Sequence, residues 1–357
     1  MKDSDIIDLA CDVFSTITGD LNSELYEELN GKLSVRWGEQ RCFYAYAATD
    51  SDVSDPPKHF ICLTYETAIL LYRDIEDYHL YIGYGADNQK FDVIFQDFEY
   101  PKALSTESGK EHCCKNMFIS GITWILFHEL GHLLQEHGHI RSSYNCNEDN
   151  KIVDCAANDS ETNTKLSGKA SAISHVTEMA ADYFAMVSCL RALLRHFEGD
   201  ELKSEVRSFS SVLALVLYRF HGVNSYIPTE VPEGSHPPPL IRLEQTTPLI
   251  FELYSKLTTI DRLYLINITS WSSYTVGLFW LRKNSQMNPQ LPDDFFLAGS
   301  LQRPGMVRYH QVMIDTWDEI KPIIDSVKRI DDHFSELQFS GEYRKKLTSL
   351  KSQLSCD

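Results

Sequence analysis

Two histidines and a glutamate lie close together in a hydrophobic segment, in the order His128-Glu129-Leu-Gly-His132. The apolar residues between Met117 and His137 predict one helix around them. Four residues turn an α-helix by about 400°, so His128 and His132 project from nearly one face and could hold one zinc ion. Glu129 lies about 100° further round and could act as a base without binding the metal. Such a motif can also arise by chance in a buried helix, but burying three ionisable groups is costly unless something binds them.

A third metal ligand has to come from elsewhere, because catalytic zinc usually has three protein ligands and a water. The best candidate is Glu178, on a second helix predicted at residues 174–197. Asp182 follows one helical turn later on the same face, where it could accept the free ring N–H of a ligating histidine and fix its tautomer. The alternative is an acidic face exposed to solvent. The apolar residues Met179 and Phe184 argue against that alternative.

A third segment begins at Ser235 and continues with His236, three prolines and, after two apolar residues, Arg242. The prolines stiffen the backbone and favour the start of a helix. His236 could therefore sit at a rigid corner and donate a hydrogen bond to the oxyanion of a tetrahedral intermediate. Arg242 could orient the site or pair with an acidic group. The alternative is an ordinary helix start that happens to contain a histidine.

In this order the three segments resemble the gluzincin arrangement of zinc peptidases and the three motifs of the HtpX-like membrane peptidases. A closer resemblance is to the Lit family, the phage-exclusion peptidases encoded by bacterial prophages. It covers residues 118–137, 177–182 and 235–237, and more weakly 60–64. The chain departs from that family in two places. A polar loop at 138–170 is longer than is usual in the family, and no motif matches in the region after residue 250.

The resemblance implies a soluble bacterial zinc endopeptidase with one Zn²⁺ per chain, dormant until infection. It implies as partners a protein substrate, suggested to be a host translation factor, and an activating phage component. The alternatives are a regulatory metallopeptidase that cleaves a repressor or partner protein, and an inactive interaction module stabilised by zinc. Glu129 argues against the inactive module, because a structural zinc site does not need a base.

Composition narrows the classes of partner and the cellular compartment. A formal net charge of −18 and the lack of a basic patch argue against nucleic acid as a ligand. Nine cysteines without a CxxC pair, and an N-terminus unlike a signal peptide, favour the reducing cytoplasm. Residues 263–281 are long enough to span a bilayer but contain six Asn, Ser and Thr residues, so we predict a buried or amphipathic helix and no membrane contact.

The sequence His112-Cys113-Cys114 precedes the predicted active-site helix. Its thiols could bind a metal, or could place an inhibitory thiolate on the zinc. The favoured interpretation is the start of a helix with buried thiols.

The rest of the chain predicts an α+β fold that is mostly α, with a gluzincin-like catalytic domain, a small N-terminal β-sheet and a helical C-terminal region. We predict helices at 3–17 and 65–77, two strands within 33–47, a strand at 59–64, and further strands at 79–84 and 91–98. An edge strand of this sheet could pair with an extended peptide substrate.

The predicted metallopeptidase domain covers residues 1–250, with active-site helices at about 117–137 and 174–197 and a polar loop at 138–170. The remaining residues, 251–357, read as helical throughout, with amphipathic runs at 306–324 and 327–354. The whole chain could also be one α-rich unit.

Overall fold

The computed structural model describes residues 1–100, 104, 109–144, 146, 153–155, 166–221, 230–284, 300–303 and 305–354. Within these residues the fold is α+β and mostly α, as predicted. The helices are α1 (Asp3–Leu21), α2 (Tyr65–Tyr84), α3 (Asn88–Ile94), α4 (Gly109–Leu134), α5 (His137–Ser143), α6 (Gly168–His196), α7 (Gly199–His221), α8 (Pro239–Leu257), α9 (Arg262–Lys283), α10 (Met306–Val327) and α11 (Gly341–Leu354).

Four strands form one sheet in the order β1-β3-β2-β4: β1 (Lys32–Gly38), β2 (Ala45–Thr49), β3 (Lys58–Thr64) and β4 (Val153–Cys155). β1 runs parallel to β3, whereas β2 is antiparallel to both β3 and β4. The first three strands confirm the prediction for residues 33–64. The edge strands among the described residues are β1 and β4, and β4 was not predicted.

The strands predicted at 79–84 and 91–98 are wrong, because α2 continues to Tyr84 and α3 occupies Asn88–Ile94. The buried residues Ile75, Tyr78 and Ile82 are three and four positions apart. That spacing places them on one face of a helix, so helical packing prevails over the β-propensity of the aromatic residues.

Helix α4 lies at the centre of the fold and packs against α2, α6, α7 and the strand β2. It is the one helix of the described residues with the length and composition of a membrane span, yet 78% of the apolar window is buried inside the protein. The core helix of a globular fold passes the same test. Residues 263–281 lie in α9, whose buried residues include Trp271 and Tyr274, so the prediction of a buried helix is confirmed.

The region between the active-site helices differs from the predicted polar loop. Residues 137–143 form α5, and Ile140 and Arg141 are buried in it. Helix α6 begins at Gly168, inside the predicted loop. The rest of that prediction concerns residue 145 and residues 147–152 and 156–165, which lie outside the described residues.

Of the last two helices, α10 lies directly against α6. Helix α10 packs against α6 and α11, and its residues Tyr309, Met313 and Ile320 contribute to a second apolar core. Residues 328–340 are not helical, so the run predicted at 327–354 is helical only in α11. The division of the chain at residue 250 stays a prediction, and α8 runs across that point.

The cysteines that precede the active-site motif lie inside α4. Cys113 and Cys114 are both buried. Neither belongs to a cluster of three possible metal ligands in the described part of the chain. Burial raises the pKa of both thiols, which keeps them in the protonated form. The interpretation as buried thiols near the start of a helix therefore agrees with the structure.

Candidate metal centre

The C-terminal half of α4 presents its two histidines and its glutamate to the protein interior. His128, Glu129 and His132 are all less than 5% exposed. The His128 ring stacks on Trp124, with the ring centroids 5.1 Å apart. The two histidine Nε2 atoms lie 3.2 Å from each other, as the i, i+4 spacing predicts.

Helix α6 brings Glu178 to the two imidazoles. Its Oε2 lies 3.3 Å from His128 Nε2, and its Oε1 lies 3.3 Å from His132 Nε2. The three possible ligand atoms all lie within 4.8 Å of one another, and all three residues are buried. Two imidazole nitrogens and a carboxylate oxygen that converge in this way could bind one metal ion.

The close approach of α4 and α6 depends on the residue between the two histidines and on its neighbours. A Cβ atom added to Gly131 would lie 3.2 Å from the Cα of Ala181 and 3.2 Å from Phe184 Cβ. The first of these contacts is with backbone, which cannot rotate away as a side chain can. The small residues Gly131 and Ala181 therefore set the distance between the two helices that carry the candidate ligands.

Asp182 lies beside His128, as predicted. Its Oδ1 is 2.9 Å from His128 Nδ1. Arg242, from the first turns of α8, contacts the same carboxylate through Nε at 2.7 Å and Nη2 at 2.6 Å. Both partners are buried, so this charge-assisted pair fixes the carboxylate that faces the His128 ring.

His236 is the least buried residue of the cluster. Its Nε2 lies 3.4 Å from Glu178 Oε1, and its Nδ1 lies 2.8 Å from the hydroxyl oxygen of Ser235. Its side chain is 18% exposed, whereas the other residues of the cluster are almost fully buried. Pro238 and Pro239 follow it, and Pro239 is the first residue of α8, which agrees with the predicted rigid corner.

Glu129 is a buried carboxylate of the site with one oxygen, Oε1, that makes no hydrogen bond among the described residues. Burial raises the pKa of Glu129, although the neighbouring His128 and His132 oppose the shift. A carboxyl group with a raised pKa is better suited to taking and returning a proton near neutral pH.

The two histidines have opposite protonation tendencies. Burial opposes the charging of His128, but Asp182 and Glu178 outweigh it and raise its pKa to about 9. Burial dominates at His132, where it lowers the pKa to about 4 despite the nearby Glu178. Burial would raise the pKa of Glu178, yet His236 and His132 hold it well below its ordinary value.

Two residues that the sequence did not single out also contact the site. Arg141 on α5 donates to Glu178 Oε1 at 3.0 Å and to the Thr177 hydroxyl at 2.8 Å. His137 is fully buried, and its Nδ1 lies 2.9 Å from His132 Nδ1. Both belong to the stretch from 137 onward, where the only sequence signal was a histidine directly after the predicted active-site helix.

The structure thus brings together all seven residues that the sequence proposed: Glu129, His236, His128, His132, Glu178, Asp182 and Arg242. No curated protein and no solved structure matches the chain. Residues 86–252, which contain all seven, match the family Peptidase U49. In its middle the chain is therefore similar to a family of peptidases, and this similarity supports a protease.

Proposed function

We propose that the protein is a zinc-dependent endopeptidase that cuts a protein in the bacterial cytoplasm. The observation that carries the proposal is the convergence of His128, His132 and Glu178 beside the buried Glu129. Two imidazoles and one carboxylate are a donor set found in catalytic zinc sites. A site that serves only to stabilise the fold has no need of a fourth ionisable group with a free oxygen.

Zn²⁺ bound by His128, His132 and Glu178 would act as a Lewis acid that lowers the pKa of water and polarises a peptide carbonyl. Glu129 takes the proton from the attacking water and returns it to the leaving amine. His236, the least buried of these residues, donates to the oxyanion that develops on the carbonyl. Asp182 orients the His128 ring, and Arg242 holds Asp182 in place.

We further propose a role in defence against phage, in which the enzyme stays dormant until a phage component activates it and then cuts a host translation factor. The resemblance of the three motifs to the Lit family supports this role, and the match to Peptidase U49 supports the peptidase activity. The substrate would bind as an extended peptide, because an extended backbone can add to the edge of a sheet.

The test compares wild type with Glu129→Gln and Glu178→Ala. Zinc per chain is measured by elemental mass spectrometry, and cleavage is read as new protein N-termini in bacterial extracts from infected and uninfected cells. We expect Glu129→Gln to keep about one zinc and to lose about 10²–10⁴-fold in cleavage rate. Glu178→Ala should lose most of its zinc.

The matched control is Glu205→Gln, which changes a carboxylate on α7 whose partner is Asn116 at the other end of α4. It should keep both zinc and cleavage. Cleavage that survives in Glu129→Gln would refute the assignment of the base. Zinc bound by wild type without any cleavage in either extract would instead favour the inactive zinc-stabilised module.

A further inference from the structure

The junction between α4 and α5 turns one histidine back onto another. Helix α4 ends at Leu134, and Glu136 adopts a left-handed conformation with φ 53° and ψ 39°. The helix α5 then starts at His137, whose ring lies 5.0 Å from the His132 ring, at 77° to it. In an uninterrupted helix five residues turn about 500°, so residues 132 and 137 would point in clearly different directions. The contact therefore requires the break at Glu136.

The break is held by a residue from the C-terminal region. The Arg329 guanidinium forms a salt bridge with the Glu136 carboxylate. The backbone N–H of Arg329 donates to the carbonyl of Leu134 at 2.8 Å, which caps the end of α4. The same guanidinium donates to the carbonyls of Asp52 and Asp55. A left-handed conformation is uncommon for glutamate, and these contacts offset its cost.

The two candidate histidine ligands thus differ in what faces their second ring nitrogen. His128 Nδ1 faces a carboxylate, Asp182, at 2.9 Å. His132 Nδ1 faces another imidazole, His137, at 2.9 Å. An imidazole that binds a metal through Nε2 keeps its proton on Nδ1, where it needs an acceptor. His137 can supply this acceptor without adding another negative charge beside Glu178.

We propose that His137 is the positioning residue of the metal ligand His132. The inference deepens the proposed zinc site and rests on it. When His132 binds a metal through Nε2, its Nδ1–H donates to the lone pair of His137 Nδ1. His137 then carries its own proton on Nε2, an atom that is buried and has no hydrogen-bond partner among the described residues. Metal binding therefore selects one tautomer for both rings.

The test uses two substitutions that differ in one property. The side-chain oxygen of His137→Asn occupies nearly the position of Nδ1 and can accept the bond, whereas His137→Leu fills similar space without an acceptor. Zinc affinity is measured by competition with a chelator. We expect His137→Leu to bind zinc about 10–100-fold more weakly than wild type, and His137→Asn to recover most of that loss.

The control is His310→Leu, which removes another buried histidine, on α10, whose ring contacts Tyr309 and Tyr343. It should leave the zinc affinity unchanged. Equal zinc affinity of wild type and His137→Leu would overturn the inference, and so would equal losses in the Asn and Leu variants, which would indicate packing alone. Wild-type protein that binds no zinc would refute the proposed metal site itself, so the two failures are distinguishable.

A second measurement on wild type does not depend on how the variants fold. Nitrogen NMR of protein labelled with ¹⁵N-histidine distinguishes the two tautomers of a neutral ring. In the zinc-loaded protein we expect the proton of His132 on Nδ1 and that of His137 on Nε2. A His137 proton on Nδ1 in the zinc-loaded protein would contradict the proposal.

Discussion

Both halves of α4 contain fully buried residues, but these residues contact different kinds of partner. In the first half Met117 and Phe118 have no exposed surface and pack in the apolar core that α4 shares with α2 and α7. In the second half His128 and His132 face the carboxylates of α6. Burial alone therefore does not identify a functional helix, and what distinguishes the second half is the charge of its partners.

The two halves should also contribute differently to stability and to geometry. Apolar burial stabilises the fold in proportion to the area removed from water. Buried ion pairs contribute little net stability, because desolvation offsets most of the attraction, but removing one partner is costly. We therefore expect the first half to set stability, and the second half to set the positions of the candidate ligands.

The largest effect should follow Arg242→Met. This change leaves the buried Asp182 carboxylate without its guanidinium and should lower the free energy of unfolding by about 3–5 kcal/mol. Urea unfolding of chelator-treated protein measures it. The control is Arg262→Met, which breaks an exposed pair with Glu252 and should cost less than about 1 kcal/mol. If the two variants lost similar amounts of unfolding free energy, the buried charged residues around the second half of α4 would not depend on one another.

Alanine at each of two glycines inside α4, Gly121 and Gly131, should separate stability from metal binding. A Cβ on Gly121 would lie 2.7 Å from Val212 Cγ2, a tight contact with a side chain. Overpacking there should cost about 1–3 kcal/mol, in part offset by the better helix propensity of alanine. Zinc affinity should not change, because no candidate ligand lies at this contact.

Gly131→Ala should reduce zinc affinity more than it reduces stability. Its Cβ would press on the Cα of Ala181 at 3.2 Å, so α6 has to move by a few tenths of an ångström. The loss of stability should be smaller than at Gly121, but Glu178 moves with α6, and metal–ligand distances tolerate only about 0.2 Å. Chelator competition should show zinc affinity reduced by about tenfold or more. A variant that binds zinc as wild type does would show that the helix spacing is not critical.

The sequence predicts the parts of the site that depend on local geometry. Helical periodicity alone places His128 with His132 and Glu178 with Asp182, because residues four apart share a face. It also indicates the corner at His236, since consecutive prolines restrict the backbone there. These residues come together in the structure, although the metal and the roles of the individual side chains stay predictions.

The sequence could not predict the contacts that depend on the break after α4. The left-handed conformation of Glu136 is stabilised by Arg329, which is far away in the sequence. No local sequence pattern therefore predicts that the His137 ring contacts the His132 ring. The contact of Arg141 with Glu178 could not be predicted either, because Arg141 lies in a stretch whose composition indicates a polar loop. The strands wrongly predicted at 79–84 and 91–98 have a similar origin, since tertiary packing decides between helix and strand when propensity is ambiguous.

The smallest effect should follow His310→Leu, which tests a buried histidine outside the candidate site. Neither ring nitrogen of His310 has a hydrogen bond among the described residues. Burial, with some help from Arg303, lowers its pKa to about 4. Replacing such a ring with an apolar side chain should change the free energy of unfolding at pH 7 by less than about 1 kcal/mol.

The pH dependence gives the sharper measurement of this variant. Between about pH 6.5 and pH 4 the unfolded chain binds a proton at His310 that the folded protein does not, so stability falls as the pH is lowered through this range. The fall between pH 7 and pH 5 should be about 1–2 kcal/mol smaller in His310→Leu than in wild type. His333→Leu, at a side chain that is 74% exposed, serves as control. An unchanged pH dependence in His310→Leu would mean that this ring takes up its proton in the folded state, and that the apolar core around it admits water or a counter-charge.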